Sequence, residues 1–160
     1  MEAFKKRIST NLLLAMLFLG LVPTPLLAQN EAQEVEQVIR SLFDGMKLKN
    51  ANQVSQAFYA EGLMQTVIQK AEGTTVGSNT VADFVNRIAN TPEEVVLDEQ
   101  VLSYHIQVDG AMAAAWTPYR FYRNGEFSHC GVNSFQLVKM AEGWKIVYII
   151  DTRRKEPCEY

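Results

Sequence analysis

Three glycine-bearing turns in the second half of the sequence constrain this chain more than anything else in it. Asp109-Gly110 and Asn124-Gly125 are two-residue hairpin signals. The turn type that follows strand twist needs positive φ at its centre, and such pairs supply it. Met140-Ala141-Glu142-Gly143 closes Phe135–Lys139 onto Trp144–Ile150 in the same way. Glu94 to Thr152 therefore reads as four long antiparallel strands in a meander. Pro118 falls inside one of them and cannot donate to a ladder, so a bulge or bend is expected there.

The preceding segment has helical periodicity. From Asn30 or Glu31, apolar residues recur at Val35, Val38, Ile39, Leu42, Phe43 and Met46 with polar residues between them, and Lys47 and Lys49 suit a helix C-terminus. A second short helix is expected over about Ala51–Phe58, ended by Tyr59-Ala60-Glu61-Gly62. Leu63–Gln69 reads as a short strand and Gly73–Gly77 as a loop. Ser78, Asn79 or Thr80 then caps a helix carrying Val81, Phe84, Val85 and Ile88, stopped at Asn90-Thr91-Pro92. Helices first and strands afterwards give an α+β fold, with three helices on one face of a curved antiparallel sheet.

The first 28 residues read as an export signal. Lys5, Lys6 and Arg7 precede an apolar run from Leu12 to Val22, and Pro23, Pro25 and Ala28 mark a cleavage region near Ala28. The run falls short of the roughly twenty residues that span a bilayer, so no stable membrane association is expected after removal. What remains is one domain over 29–155 and a short tail over 156–160. Losing three basic residues and Glu2 takes the net charge from −3 to −5, which argues against nucleic acid as a partner. A periplasmic or secreted location would allow Cys130 and Cys158 to bridge. Cys130 should lie opposite about Arg153, and the tail would have to fold back to meet it. The alternative is one buried thiol and one loose one, and both stay open. Two cysteines and two histidines show no zinc-ligand spacing, so no metal is expected.

The stretches Trp116-Thr117-Pro118-Tyr119-x-Phe121-Tyr122-x-Asn124-Gly125 and Phe127-Ser128-His129-Cys130-Gly131-Val132-Asn133-x-Phe135 carry a family resemblance, as do Gly143-Trp144-Lys145-Ile146 and Asp151-Thr152-Arg153-Arg154. Through them the chain resembles the nuclear transport factor 2-like, or SnoaL-like, superfamily, and within it the branch labelled "putative lumazine-binding". The resemblance implies a cone-shaped, cystatin-like α+β domain with a pocket between sheet and helices. That superfamily includes isomerases, dehydratases, polyketide cyclases and non-catalytic binders. Its enzymes resemble one another in placing an Asp or His base in the cone. The resemblance also implies that Tyr59 sits at the mouth of the cone.

Counting outward from the turns places Arg120 opposite both His129 and Glu99, and Trp116 opposite Asn133. Alternation then gathers Trp116, Arg120, Tyr122, His129, Asn133, Phe135 and Trp144 on the concave face. Tyr119, Cys130, Asp151 and Arg153 fall on the other. A bulge would exchange the two assignments, because a one-residue slip flips every side chain beyond it. Glu99, Arg120 and His129 form either a pocket histidine tuned by a carboxylate, with Arg120 anchoring an anion, or a cross-strand ion pair worth about 0.2–1 kcal/mol. Asp151 is either a base or the partner of Arg153.

These readings converge on an exported domain that binds a small, partly aromatic molecule without a cofactor. Its candidate binding residues are Tyr59, Glu99, Trp116, Arg120, Asn133 and Arg153. One alternative is a cofactor-free lyase or isomerase using His129 or Asp151 as proton shuttle. Another is a module that forms a homodimer through its sheet.

Overall fold

The computed structural model describes residues 24–158, with side chains from Gln29 onward. The export signal expected over Met1–Ala28 therefore lies outside the residues whose side chains are described. Helix α1 runs over Thr24–Lys47, beginning before the expected Asn30 or Glu31. A proline near the start is compatible with this, because first-turn N–H groups have no intrahelical partner to lose. Val35, Ile39, Leu42 and Met46 form the buried stripe of α1. Lys49 turns the chain at positive φ. Asn50 then caps α2 (Ala51–Ala57) by accepting from the Gln53 amide. The Gln53 side chain reaches back to the Ser41 carbonyl over 2.9 Å, tying the two helices together.

Strand β1 spans Phe58–Lys70 and β2 spans Gly73–Thr80. Both correct the sequence reading. Tyr59–Gly62 does not end a helix but forms an irregularity inside β1, between Phe58 opposite Ile146 and Leu63 opposite Tyr148. The expected loop Gly73–Gly77 is strand, because Thr74, Thr75 and Val76 are good strand formers that pair with Gln69, Ile68 and Val67. Thr80 caps α3 (Val81–Ala89), and its hydroxyl accepts from the Asp83 amide while donating to the Asp83 carboxylate.

The remaining strands are β3 (Leu97–Val101), β4 (His105–Asp109), β5 (Met112–Arg123), β6 (Glu126–Met140) and β7 (Gly143–Thr152). They form one seven-stranded sheet in the order β2-β1-β7-β6-β5-β3, with β4 continuing the edge beside β5. The sheet is curved and unclosed. It is mixed rather than wholly antiparallel, because β1 runs parallel to β7.

Pro118 is paired regularly with Val132, without the expected bulge. Its effect appears on the neighbouring strand. The Pro118 carbonyl accepts from the Leu102 amide at 2.8 Å, so its missing N–H also faces that edge. There the edge strand breaks into β3 and β4. The bulges lie elsewhere, between Phe121 and Tyr122 in the β5–β6 pairing and between Gln136 and Leu137 in the β6–β7 pairing.

One sheet face packs on the helices. Phe135, Leu137 and Ile146 are fully buried against Ile39 and Leu42, each side chain contributing about 1.5–3 kcal/mol. On the outer face the tail folds back. Cys130 pairs with Arg154 rather than Arg153, and Cys130 and Cys158 are disulfide-bonded, with Cα atoms 5.9 Å apart.

Candidate functional site

The two bulges decide which side chains meet. Beyond the first, Phe121 rather than Arg120 lies opposite His129, and Thr117 rather than Trp116 lies opposite Asn133. Beyond the second, Asn133 faces Asp151. On the edge, Glu99 pairs with Phe121 and not with Arg120. The concave face therefore carries Glu99, Tyr119, Phe121, His129, Asn133 and Asp151.

These residues stand at one end of a hollow of about 960 Å³ between the sheet and helices α1 and α3. Leu42, Phe43, Met46, Phe84 and Phe135 give it an apolar wall, and residues of β1, β2 and the segment 90–92 form its rim. A smaller groove of about 450 Å³, between α1 and the β6–β7 turn, holds none of this cluster.

Asp151, only 7% exposed, organises one half of the polar cluster. Its Oδ1 accepts from the Thr66 hydroxyl at 2.5 Å, and its Oδ2 accepts from Arg153 Nε at 2.6 Å. Thr66 reaches it because β1 runs parallel beside β7, which sets Thr66 against Asp151 in register. The Tyr119 hydroxyl donates to the Thr152 carbonyl at 3.0 Å and stands 3.4 Å from Oδ2. Burial, reinforced by the Glu99 and Asp151 carboxylates, holds the Tyr119 phenol far above its ordinary range. Arg153 loses charge stabilisation on burial, but its contacts with Asp151 more than restore it, and its pKa is raised.

The other half is Glu99, whose Oε1 accepts from Asn133 Nδ2 at 2.7 Å. Oε2 has no partner among the described residues. Desolvation pushes this carboxyl up to about 7, with a smaller push from Asp151, against the pull of Asn133 and Arg153. Between the halves stands His129. Its Nδ1 lies 3.1 Å from the Ser128 hydroxyl, and its ring packs on Phe121 with centroids 5.0 Å apart. Desolvation, aided by Arg153, lowers its pKa, so the ring is neutral near pH 7.

Of the residues singled out from sequence, Glu99, His129, Asn133, Asp151 and Arg153 line the hollow, Asp151 and Arg153 against the expectation that they lie on the other face, because the slip at the second bulge brings them over. Trp116 and Arg120 do not. Both are exposed and lie on the outer face, flipped by the slip at the first bulge. Tyr59 is 40% exposed and also lies outside the hollow. Three contributors escaped the sequence reading. Tyr119 fell on the wrong face, Phe121 read as core first and pocket lining only second, and Thr66 sat in a strand with weak alternation. Among the described residues no group of three or more His, Cys, Asp or Glu is placed to hold a metal ion. No described helix is long and apolar enough to cross a membrane.

The architecture is shared by solved structures. A nuclear transport factor 2-like protein with a cystatin-like fold from Novosphingobium aromaticivorans superposes with a TM-score of 0.66 at 15% identity, covering 86% of this chain and 94% of that one. A nuclear transport factor 2-like superfamily protein from Salmonella enterica gives 0.62 at 17% identity, covering 80% and 94%. A protein described as a "putative dehydratase" from Streptomyces avermitilis gives 0.62 at 12% identity, covering 80% and 99%. At these identities the likeness is one of fold. No curated protein matches this sequence. The family described as "Putative lumazine-binding" matches residues 30–149, and the chain belongs to it, with the fold of the nuclear transport factor 2-like proteins.

Proposed function

We propose that this chain is an exported domain that holds a small molecule non-covalently in the hollow between sheet and helices. The observation that carries the reading is the hollow itself. Its volume of about 960 Å³ suits a small organic ligand, and its lining is mixed, with an apolar and aromatic wall from Leu42, Phe43, Met46, Phe84, Phe121 and Phe135 facing polar groups that include the Glu99, His129, Asn133 and Asp151 cluster. The family's name points to a heteroaromatic ligand, in keeping with walls built from Phe43, Phe84, Phe121 and Phe135. The Cys130–Cys158 bridge supports export, because such bridges persist in oxidising compartments.

Native mass spectrometry of the protein purified from its own cell tests this. The expected spectrum shows a mature chain beginning near Gln29 with a small molecule retained. Adding that molecule back to stripped protein should raise the melting temperature, since a ligand at a hundredfold excess over Kd contributes about 2.7 kcal/mol. A bare mass, with no melting shift across a panel of heteroaromatic compounds, sinks the reading.

A second reading has a specific observation behind it. His129 Nε2 has no partner among the described residues, and its ring lines the hollow, across Phe121 from Glu99 in the sheet register. A cofactor-free lyase or isomerase would use it as the proton shuttle. Asp151 is the weaker candidate, because both its oxygens are already engaged by Thr66 and Arg153. Turnover of a bound compound that follows the His129 titration, and is lost in His129→Ala, would favour catalysis over binding.

A further inference from the structure

The polar cluster around Glu99 and Asp151 is short of one positive charge. Two carboxyl groups enter it, Glu99 from β3 and Asp151 from β7, and one guanidinium, Arg153. Arg153 is committed to Asp151 through Nε and to the Thr66 hydroxyl through Nη2 at 3.3 Å. The facing groups from other strands supply no further charge. Tyr119 of β5 is held as the neutral phenol, His129 of β6 is held neutral, and Asn133 of β6 offers only an amide hydrogen. Tyr104, in the link between β3 and β4, is likewise shifted toward its neutral form, chiefly by burial, with Arg40 of α1 stacked over its ring at 4.6 Å. Asp98 turns to the opposite side of β3 and pairs with Lys47. Two further cations line the hollow, exposed as Arg153 also is, but the charges that act on Glu99 are those of Asp151 and Arg153. Arg87 is bound to Asn79 at 3.1 Å and lies over the Phe84 ring, and Arg123 sits at the end of β5.

Glu99 is therefore a carboxyl with one oxygen satisfied and the other, Oε2, open beside an apolar, aromatic space. Resting on the reading that the hollow binds a small molecule, we infer that its ligand is a cation, an amine or amidine on a largely apolar body, whose charged nitrogen pairs with Glu99 Oε2. Phe121 and the other ring faces on the wall favour the same sign of charge. Below the Glu99 pKa of about 7, the carboxyl proton must leave for solvent as the pair forms. Binding then couples to proton release and tightens as pH rises toward 8.

The test uses the full mature chain and three probes of one shape, namely naphthylmethylamine (cation), naphthalenemethanol (neutral) and naphthylacetate (anion). Affinities are measured by calorimetry at about pH 6 and about pH 8, for the native protein and Glu99→Gln. Repeating the titration in buffers of different ionisation enthalpy counts protons on the native protein alone, so the result stands even if the variant folds poorly. The expected result is a preference for the amine of about tenfold or more at the higher pH, shrinking about tenfold at the lower, with proton release, and absent in Glu99→Gln. Equal affinity for amine and alcohol, a preference for the anion, or an amine preference that survives Glu99→Gln overturns the ligand class and leaves the binding reading standing. Failure of all three probes to bind at either pH overturns both.

Discussion

The Asn133 side-chain amide donates to Glu99 Oε1 over 2.7 Å, reaching across β5 from β6 to the edge strand β3. This bond favours the ionised carboxylate, yet desolvation outweighs it and leaves Glu99 titrating at about 7 rather than 4.5. A carboxyl whose folded pKa lies above its unfolded one binds protons better when folded. Its contribution is fully present below pH 4.5 and is lost as pH rises through about 7. His129, with a lowered folded pKa, acts oppositely and loses stability as pH falls. Comparing the native protein with Glu99→Gln isolates the first effect. The variant is expected to gain about 1–3 kcal/mol relative to the native protein between about pH 4.5 and pH 8, read from urea midpoints. Parallel pH profiles for the two proteins would show that Glu99 is not held protonated.

Asp151 joins three strands through its side chain, with Thr66 on β1 and both Tyr119 and Arg153 as neighbours. Asp151→Asn keeps the shape but removes the charge that Arg153 and the Thr66 hydroxyl use. The expected loss is about 1–3 kcal/mol, the range for hydrogen bonds to a charged group. A double-mutant cycle with Thr66→Val checks that the loss runs through the contact seen here. A coupling of about 0.5 kcal/mol or more is expected, and strict additivity would contradict the geometry.

Cys130 and Cys158 close a loop of 28 residues in sequence separation. Constraint of the unfolded chain over such a loop stabilises the fold by about 3–4 kcal/mol on the chain-entropy account. The paired variant Cys130→Ala/Cys158→Ala should unfold at correspondingly lower urea. Dithiothreitol should move the native protein to the same midpoint and leave the variant unmoved. Identical midpoints without reductant would mean that the bridge does not form in solution.

Gly131 carries the closest backbone approach of the described glycines. A Cβ there would fall 1.7 Å from the Thr152 carbonyl oxygen and 2.9 Å from the Tyr119 hydroxyl. The first obstacle is backbone and cannot swing aside. Gly131→Ala is expected to cost about 3 kcal/mol or more, because β6 and β7 must part beside the tail. Soluble expression, circular dichroism and a thermal midpoint report this directly, and a midpoint within a few degrees of native would refute it.

Element types were legible because turns and periodicity are local. Asp109-Gly110, Asn124-Gly125 and the Thr80 cap mark boundaries with short-range chemistry, and each stands near a boundary found in the structure. Side-chain direction was less legible, because it depends on register summed along each strand. Counting from Asn124-Gly125 correctly sets Tyr122 against Phe127, but an extra residue at Ser128 then flips everything beyond. The last hairpin behaves alike, correct at Leu137 against Ile146 and shifted by Phe135. Pro118, the one residue that announced irregularity, expressed it on the edge strand instead. The parallel placement of β1 beside β7, which brings Thr66 to Asp151, joins strands about 80 residues apart, and nothing local encodes it. His129, Asn133 and Glu99 were found because odd-numbered positions on β3 and β6 happened to keep their face. Trp116 and Arg120 were misplaced for the converse reason.

That slip has its own measurable consequence, since Arg120 and Phe121 are neighbours on opposite faces of β5. Arg120 is exposed on the outer face, opposite Cys130, whereas Phe121 lies between Glu99 and His129 on the concave face. Arg120→Ala should change stability by no more than about 0.5 kcal/mol. Phe121→Ala should cost about 2–4 kcal/mol, because it strips a large side chain from a wall packed on the His129 ring. The two variants should also differ in ligand retention by native mass spectrometry, with Arg120→Ala keeping what the native protein keeps and Phe121→Ala losing it. Trp116→Ala, 54% exposed in the native protein, should behave as Arg120→Ala does. If Arg120→Ala or Trp116→Ala emptied the hollow while Phe121→Ala left it filled, β5 would have to sit one residue away from the register described here.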